Sequence, residues 1–212
     1  MILKKLKRLF VKELSYPVKS VYQGHHQITY RGVPCIKCPF DYVNYQMILN
    51  EVKPDLIIEI GTNKGGSALY LADLMEIMGK GQIHSIDIQD EAFDLVRKHP
   101  RIKLFTEGWE KYDLDLAKDF EIILVIEDSS HEYENTLEVI QKFAPVVSRG
   151  SYLIVEDGIL NTLGWGKSFG GGPIKAIHRF LESNPDFTEE KKWENYFGKD
   201  TTFNPHGFLK KV

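Results

Sequence analysis

The 212-residue chain has only two cysteines, no apolar run long enough to cross a bilayer and no lopsided overall charge, and each shortage removes a class of protein. Cys35 and Cys38 form a single C-x-x-C. A closed structural zinc site needs four ligands, usually from a second such pair, and there is none. In the stretch Gly32-Val33-Pro34-Cys35-Ile36-Lys37-Cys38-Pro39 two prolines hold the pair extended, whereas a thioredoxin-like pair follows a strand and opens a helix. No segment approaches the roughly 20 apolar residues of a membrane span. The first residues lack the apolar core and small-residue cleavage site of a secretory signal, so the expected location is cytoplasmic. A formal net charge of -3 offers no global attraction to nucleic acid.

What remains is ordinary for a folded domain: 42% hydrophobic and 27% charged residues, in a chain of one-domain length. Residues 1–27 read as a basic, helical N-terminal segment and 28–212 as the main domain. Lys4, Lys5, Lys7, Arg8, Lys12 and Lys19 stand against Glu13 alone in the first nineteen residues. Leu3, Leu6, Leu9 and Phe10 recur there at near-helical spacing. The segment is read first as a solvated helix packed on its own domain, and second as a weak contact with an anionic membrane surface.

From Asp55 onward, short β-branched runs alternate with helix-period segments, the pattern of a doubly wound, mostly parallel sheet covered on both faces in three α/β/α layers. The expected strands are Leu56 to Ile60, Gln82 to Asp87, Ile102 to Phe105, Glu121 to Ile126 and Tyr152 to Val155, with Gly207 to Val212 as a candidate last one. Ala68, Leu71, Ala72 and Met75 share one helical face, and Tyr133, Leu137, Ile140 and Ala144 another. A third helix is expected from Pro173 to Leu181, ended by Asn184-Pro185. Residues 158 to 172 hold six of the 17 glycines and read as a mobile loop that closes over substrate.

In such sheets ligands bind where strands end at their carboxyl sides. The first strand runs through Glu59 and Gly61-Thr62-Asn63-Lys64-Gly65-Gly66-Ser67 into a helix, a turn whose glycines and free N–H groups suit a nucleotide. The spacing of Gly61, Gly65 and Gly66 misses the G-x-G-x-x-G fingerprint, which disfavours NAD. Asp87, about 20 residues on, can take the hydroxyls of a ribose. An acid at Glu59 would repel a pyrophosphate but face a cation, which favours the sulfonium of S-adenosylmethionine. The candidate cofactor contacts are Glu59, Gly61, Thr62, Gly65, Gly66 and Ser67, with Asp87, Ile88 and Asp128.

Two further strand ends are acidic: Glu127-Asp128-Ser129-Ser130-His131 and Glu156-Asp157-Gly158. Crowded carboxylates repel unless a cation is bound or some stay protonated, and hard oxygen donors favour Mg²⁺ or another hard divalent ion. Asp128, Glu156 and Asp157 are the expected ligands, with His131 placed to accept a hydroxyl proton. A two-histidine iron site lacks its second strand-end histidine, because His84 lies mid-strand. Gly166-Lys167-Ser168 is not a P-loop, since its leading glycine would fall on Asn161.

These residues resemble the cephalosporin hydroxylase-like family, which includes macrolide and rhamnosyl sugar O-methyltransferases. The resemblance spans residues 28–212. It rests on Gly32-Val33-Pro34 with Lys37, Pro39 and Asp41, on Pro54 to Glu59 with Gly61-Thr62, on Asp128-Ser129-Ser130-His131 and on Glu156-Asp157-Gly158. It implies a Rossmann-like class I methyltransferase fold with a mostly parallel seven-stranded sheet and S-adenosylmethionine bound around Glu59, Gly61, Gly66, Ser67 and Asp87. It further implies Mg²⁺ at Asp128, Glu156 and Asp157, His131 as general base, and a sugar or sugar-bearing metabolite as acceptor. The alternatives are a non-catalytic cofactor-binding partner of another enzyme and an NAD-linked oxidoreductase. The acceptor hydroxyl and the oligomeric state, a homo-oligomer included, stay open.

Overall fold

In the computed structural model the described residues are 17–212. Most of the basic N-terminal segment lies outside them, and with it the expected amphipathic face. The one part that is described, helix α1 (Val18–His25), packs Val18, Val21 and Tyr22 against a small cluster of Cys38, Ile159 and Phe203.

A two-stranded sheet pairs β1 (Thr29–Tyr30) with β2 (Val33–Pro34), and the main sheet has seven strands: β3 (Leu56–Ile60), β4 (Gln82–Ile86), β5 (Ile102–Phe105), β6 (Ile123–Glu127), β7 (Tyr152–Val155), β8 (Phe187–Glu189) and β9 (Phe208–Lys211). They lie in the order β5-β4-β3-β6-β7-β9-β8. The first five are parallel, whereas β9 runs antiparallel to both its neighbours. This is the expected doubly wound class. Strands β3, β6 and β7 are buried along their whole length, as a parallel sheet covered on both faces requires.

Alternation along the strands sorts two cores. Ile58, Ile60, Val125 and Leu153 face a layer containing Ile140 and Phe143 of α5 (Tyr133–Phe143) and Ile177 and Phe180 of α7 (Gly172–Leu181). Ile57, Leu124, Ile126 and Ile154 face Tyr45 and Ile48 of α2 (Pro39–Val52), Ala72 and Met75 of α3 (Gly66–Met78) and Val96 of α4 (Asp94–Arg97). No helix among the described residues is long and apolar enough to cross a membrane.

The structure departs from the sequence reading in several places. Strand β6 starts at Ile123, the partner of the first residue of β3, and ends on Glu127, which pairs with both Ile60 and Val155. Strand β8 was not anticipated, since three residues are too few to show an alternation. The glycine-rich stretch is not one open loop. It forms α6 (Ile159–Thr162) and a 3₁₀ turn (Gly166–Phe169), pinned by Asn161 Nδ2 donating to Gly171 O at 3.1 Å. The cysteine pair, expected to be held extended, does sit between a short strand, β2 (Val33–Pro34), and α2, whose N-cap is Cys38. Both thiols are nonetheless buried, and burial pushes Cys35 up to about 11 and Cys38 up to about 12. A thiol so raised is a packing group rather than a nucleophile.

The turn after β3 is shaped by close approach. A Cβ on Gly66 would lie 2.1 Å from Pro34 O and 2.6 Å from Cys35 Cβ, so α3 starts directly against the loop that follows β2. Gly66→Ala should therefore destabilise the protein by about 1–3 kcal/mol through overpacking, read as a fall in urea midpoint with unchanged slope.

Candidate active site

Register builds the site. Ile60 pairs with both Ile86 and Glu127, and Glu127 with Val155, so four strands end along one rim. The ladder continues one residue further: Gly61 N–H donates to Ile86 O (2.8 Å), Asp87 N–H to Phe105 O (2.9 Å), Asp128 N–H to Ile60 O (2.8 Å) and Glu156 N–H to Glu127 O (2.9 Å). Backbone bonds thus fix the Cα of Asp87, Asp128 and Glu156 before any side chain contributes, whereas the N–H of Asp157 is held by the side-chain oxygen of Asn204 at 3.3 Å. A cavity of about 560 Å³ opens along this rim, within the range of small-molecule sites.

Of the expected cofactor contacts, Gly61, Asp87, Ile88 and Asp128 line the cavity. Gly61 has φ +108°, and a Cβ there would fall 1.9 Å from Asp128 O, so only glycine lets the turn pass under β6. Asp87 is oriented by its own loop: Oδ2 accepts from Asn63 N–H at 2.8 Å and Oδ1 from Ile88 N–H at 2.7 Å.

Glu59, Thr62, Gly65, Gly66 and Ser67 do not line it. Glu59 is fully buried, and its two oxygens accept from Ser67 Oγ (2.5 Å) and Ser85 Oγ (2.6 Å). The hydroxyl of Thr62 pairs with Ser85, while Gly65 abuts Val96. The expectation that Glu59 meets a cationic ligand is corrected accordingly: it braces the turn from beneath, and the acids facing the cavity are Asp87, Glu110, Asp128 and Asp157. Cavity residues that the sequence reading missed include Asn63, Trp109 and Asn135, joined by the bond from Trp109 Nε1 to Asn135 Oδ1 at 3.2 Å. Only Asn63 carried a signal, as part of the glycine turn.

At the β6 and β7 ends, ligand atoms of Asp128, His131 and Asp157 lie within 4.8 Å of one another. His131 Nε2 is 3.3 Å from Asp157 Oδ2, and its buried Nδ1 has no hydrogen-bond partner. His131 and Asp157 both take left-handed backbone conformations, at φ 62° and 57°, which turns them in at the rim. Neither oxygen of Glu156 joins this set. Its Oε1 accepts from Lys37 Nζ and, at 2.5 Å, from Tyr45 OH. Lys37, fully inside the protein, also donates to Asp128 Oδ2 at 3.2 Å. The chain therefore brings its own cation to two of the three acids, and sequence pattern offered only the motif position of Lys37 as a hint.

The electrostatics follow from crowding. Burial pushes Asp128 up to about 6 and Glu127 up to about 7, against the pull of Lys37 on the first and of hydrogen bonds from Ser129 on the second. Burial also raises Asp157 and Glu156, each opposed by a neighbouring positive group. For His131 burial acts downward, but Asp157, Asp128 and Glu127 outweigh it and hold the imidazole above its ordinary value. Lys37 is likewise raised well above its usual range, because Asp128 and Glu156 overcome the cost of burying it. His84 is separate: burial takes it down to about 4, and Nδ1 pairs with Tyr112 OH at 2.6 Å, away from the rim. Acids held above their normal values by burial first and by one another second, with ligand atoms of Asp128, His131 and Asp157 within 4.8 Å, fit a divalent cation, which would offset their charge.

A family model described as Rhamnosyl O-methyltransferase/CmcI matches residues 22–212. The chain belongs to this family. Relatives include the rhamnosyl O-methyltransferases of Mycobacterium tuberculosis (strain ATCC 25618 / H37Rv), 33% identical over 94% of this chain and 89% of that one, and of Mycobacterium leprae (strain TN), 32% identical over 91% of each. Among solved structures, CmcI with Mg and SAM superposes with a TM-score of 0.66 at 23% identity, covering 88% of this chain and 77% of that one. An O-methyltransferase from Bacillus cereus in complex with SAH gives 0.53 at 15% identity, covering 89% and 88%. The sheet is thus the Rossmann-like class I methyltransferase architecture. The chain is an O-methyltransferase by family, and the expectations of a non-catalytic partner and of an NAD-linked enzyme give way to it.

Two outcomes test the electrostatics. Removing one partner of a buried ion pair strands the other, so Lys37→Met should cost about 3–5 kcal/mol in denaturant unfolding with chelator present. The raised Glu127 carboxyl binds its proton more tightly folded than unfolded, so the stability it contributes is whole below about pH 4.5 and is lost as pH rises toward about 7. Glu127→Gln cannot ionise, and should match wild type near pH 4 and exceed it by about 3 kcal/mol at pH 8.

Proposed function

We propose that the chain transfers the methyl group of S-adenosylmethionine to a hydroxyl of a sugar or sugar-bearing metabolite, with Asp128 and Asp157 holding a divalent cation, Mg²⁺ by its hard oxygen donors, and His131 as general base. The observation that carries this reading is the meeting of Asp128, His131 and Asp157 in the same cavity as Asp87 and the glycine turn. Family membership supplies the reaction class. The sugar acceptor is drawn from relatives that act on rhamnosyl groups, and the cation from the CmcI structure that carries Mg with SAM.

Asp87 and the neighbouring backbone would take the ribose hydroxyls, with Ile88 and Trp109 flanking the adenosine. The negative rim at Asp128 suits a sulfonium, the role first assigned to Glu59. When bound, the divalent cation supplies Lewis acidity that lowers the pKa of an acceptor hydroxyl. His131 must be neutral to take that proton, and a cation held by Asp128 and Asp157 would offset the negative charge that raises it. The hydroxyl oxygen then forms its bond to the methyl carbon while the carbon–sulfur bond breaks. The electron pair stays on sulfur, which becomes a neutral thioether, and the proton rests on His131. The protein's part is to hold the reacting atoms in line and to exclude water. Phe169, edge-on to His131 at 6.3 Å, brings the glycine-rich stretch to the same place and supports its assignment as the cover of the site. Glu156, also expected as a ligand, would reach the cation only by changing its bonds to Lys37 and Tyr45, and is assigned here to fixing Lys37.

His131→Ala should lower kcat by about 10²–10⁴ while leaving binding of S-adenosylmethionine within twofold. Asp128→Asn should abolish the stimulation of transfer by added Mg²⁺ after chelation. Labelled-methyl transfer to a pyranoside acceptor reads both, and full activity in either variant would refute the assignment.

A further inference from the structure

The cavity has a third wall that the reaction so far does not use. Its residues come from outside the sheet ends: Tyr22, His25 and His26 of α1 and the residue that follows it, and Ile36 from the loop after β2. The rim runs from Asp87 after β4, across Gly61 and Asp128, to Asp157 after β7. Helix α1 belongs to the β7 side, because it packs on Ile159 and Phe203, next to where β7 exits. The phenol of Tyr22 is raised by burial and by the charge of Asp157, which places it within electrostatic reach of that carboxylate. A methyl donor whose adenosine lies at Asp87 would have the Asp128, His131 and Asp157 group between itself and α1. In a displacement, attacking and leaving atoms occupy opposite sides of the transferred carbon, so α1 bounds the acceptor's side.

The wall's chemistry selects the ligand. Tyr22 is held by an edge-on contact to Trp165 (5.3 Å, 75°) and a tilted one to Phe203 (5.6 Å), so its ring is positioned before anything binds. His25 and His26 lie ring to ring at 4.1 Å. His25 is buried and lowered by that burial, hence neutral near pH 7, whereas His26 is exposed. Aromatic faces with polar edges suit a ring that is apolar on its faces and hydroxylated at its rim. They offer no fixed positive charge for a phosphate or carboxylate.

We infer that Tyr22 and His26 form the acceptor subsite, packing against the C–H face of a pyranose whose hydroxyl edge is turned toward Asp128 and His131. The inference rests on the sugar O-methyltransferase reading above and adds the residues that choose the sugar.

The test compares Tyr22→Ala, Tyr22→Phe and His26→Ala with wild type, using p-nitrophenyl α-rhamnopyranoside and catechol as acceptors and calorimetry for S-adenosylmethionine. Tyr22→Ala and His26→Ala should each raise the pyranoside KM at least tenfold with donor Kd within twofold, and Tyr22→Phe, which keeps the ring, should stay within threefold. Should Tyr22→Ala melt early, the exposed His26→Ala carries the comparison alone. A pyranoside KM within twofold of wild type in His26→Ala and every folded Tyr22→Ala sample overturns the subsite while leaving the sugar reading intact. A donor Kd that rises in step with KM also overturns it, by making α1 part of donor binding. Wild-type transfer to catechol and to no pyranoside defeats the sugar reading itself, and the subsite with it.

Discussion

Negative charge packed along one rim of a parallel sheet is the constraint on which the molecule turns. Glu127, Asp128 and Glu156 are brought together by backbone hydrogen bonds, and Asp157 follows Glu156 directly in the chain. Left alone they would repel and resist burial. The fold answers from within by sending Lys37 into the rim, where it bonds Glu156 and Asp128. It leaves the remaining imbalance at Asp128 and Asp157, beside His131. Internal neutralisation is therefore partial, and the unneutralised part faces the cavity.

That division separates two jobs that strand-end acids would otherwise share. Glu59 and Glu156 lie below the rim, each tied by hydroxyl or ammonium donors, and shape the floor. Asp87, Asp128 and Asp157 line the cavity and are open to ligands. The cores on the two faces of the sheet combine aliphatic strand residues at alternating positions with aromatics such as Tyr45, Phe143 and Phe180, while Tyr22 and Trp109 add aromatic surface where the cavity opens.

The central strands were legible because a buried parallel strand is a short, nearly continuous β-branched run, and Leu56–Ile60 or Tyr152–Val155 can hardly be read otherwise. The third helix was legible from Pro173 for a related reason, since proline fits a first turn. The strand-end acids were visible as residue types in the right places. Their orientations were not: whether Glu59 or Glu156 faces a ligand depends on hydroxyls and a lysine 8 to 119 residues away in the chain. Distant partners leave no periodicity. The α1 wall escaped for the same reason, being set by contacts to Trp165 and Phe203, and β8 because three residues cannot display a pattern.

Strand β9 sits between β7 and β8, although it is translated after both. Until it emerges from the ribosome, β8 has no strand to pair with and β7 lacks its outer neighbour. The segment leading into β9 also supplies Asn204, whose side-chain oxygen accepts from the N–H of Asp157 at 3.3 Å. The nascent polypeptide consequently reaches its finished geometry only once this keystone drops into its slot, so a ribosome stalled shortly before Phe208 would display a chain with its sheet unfinished and one cavity-lining acid unanchored.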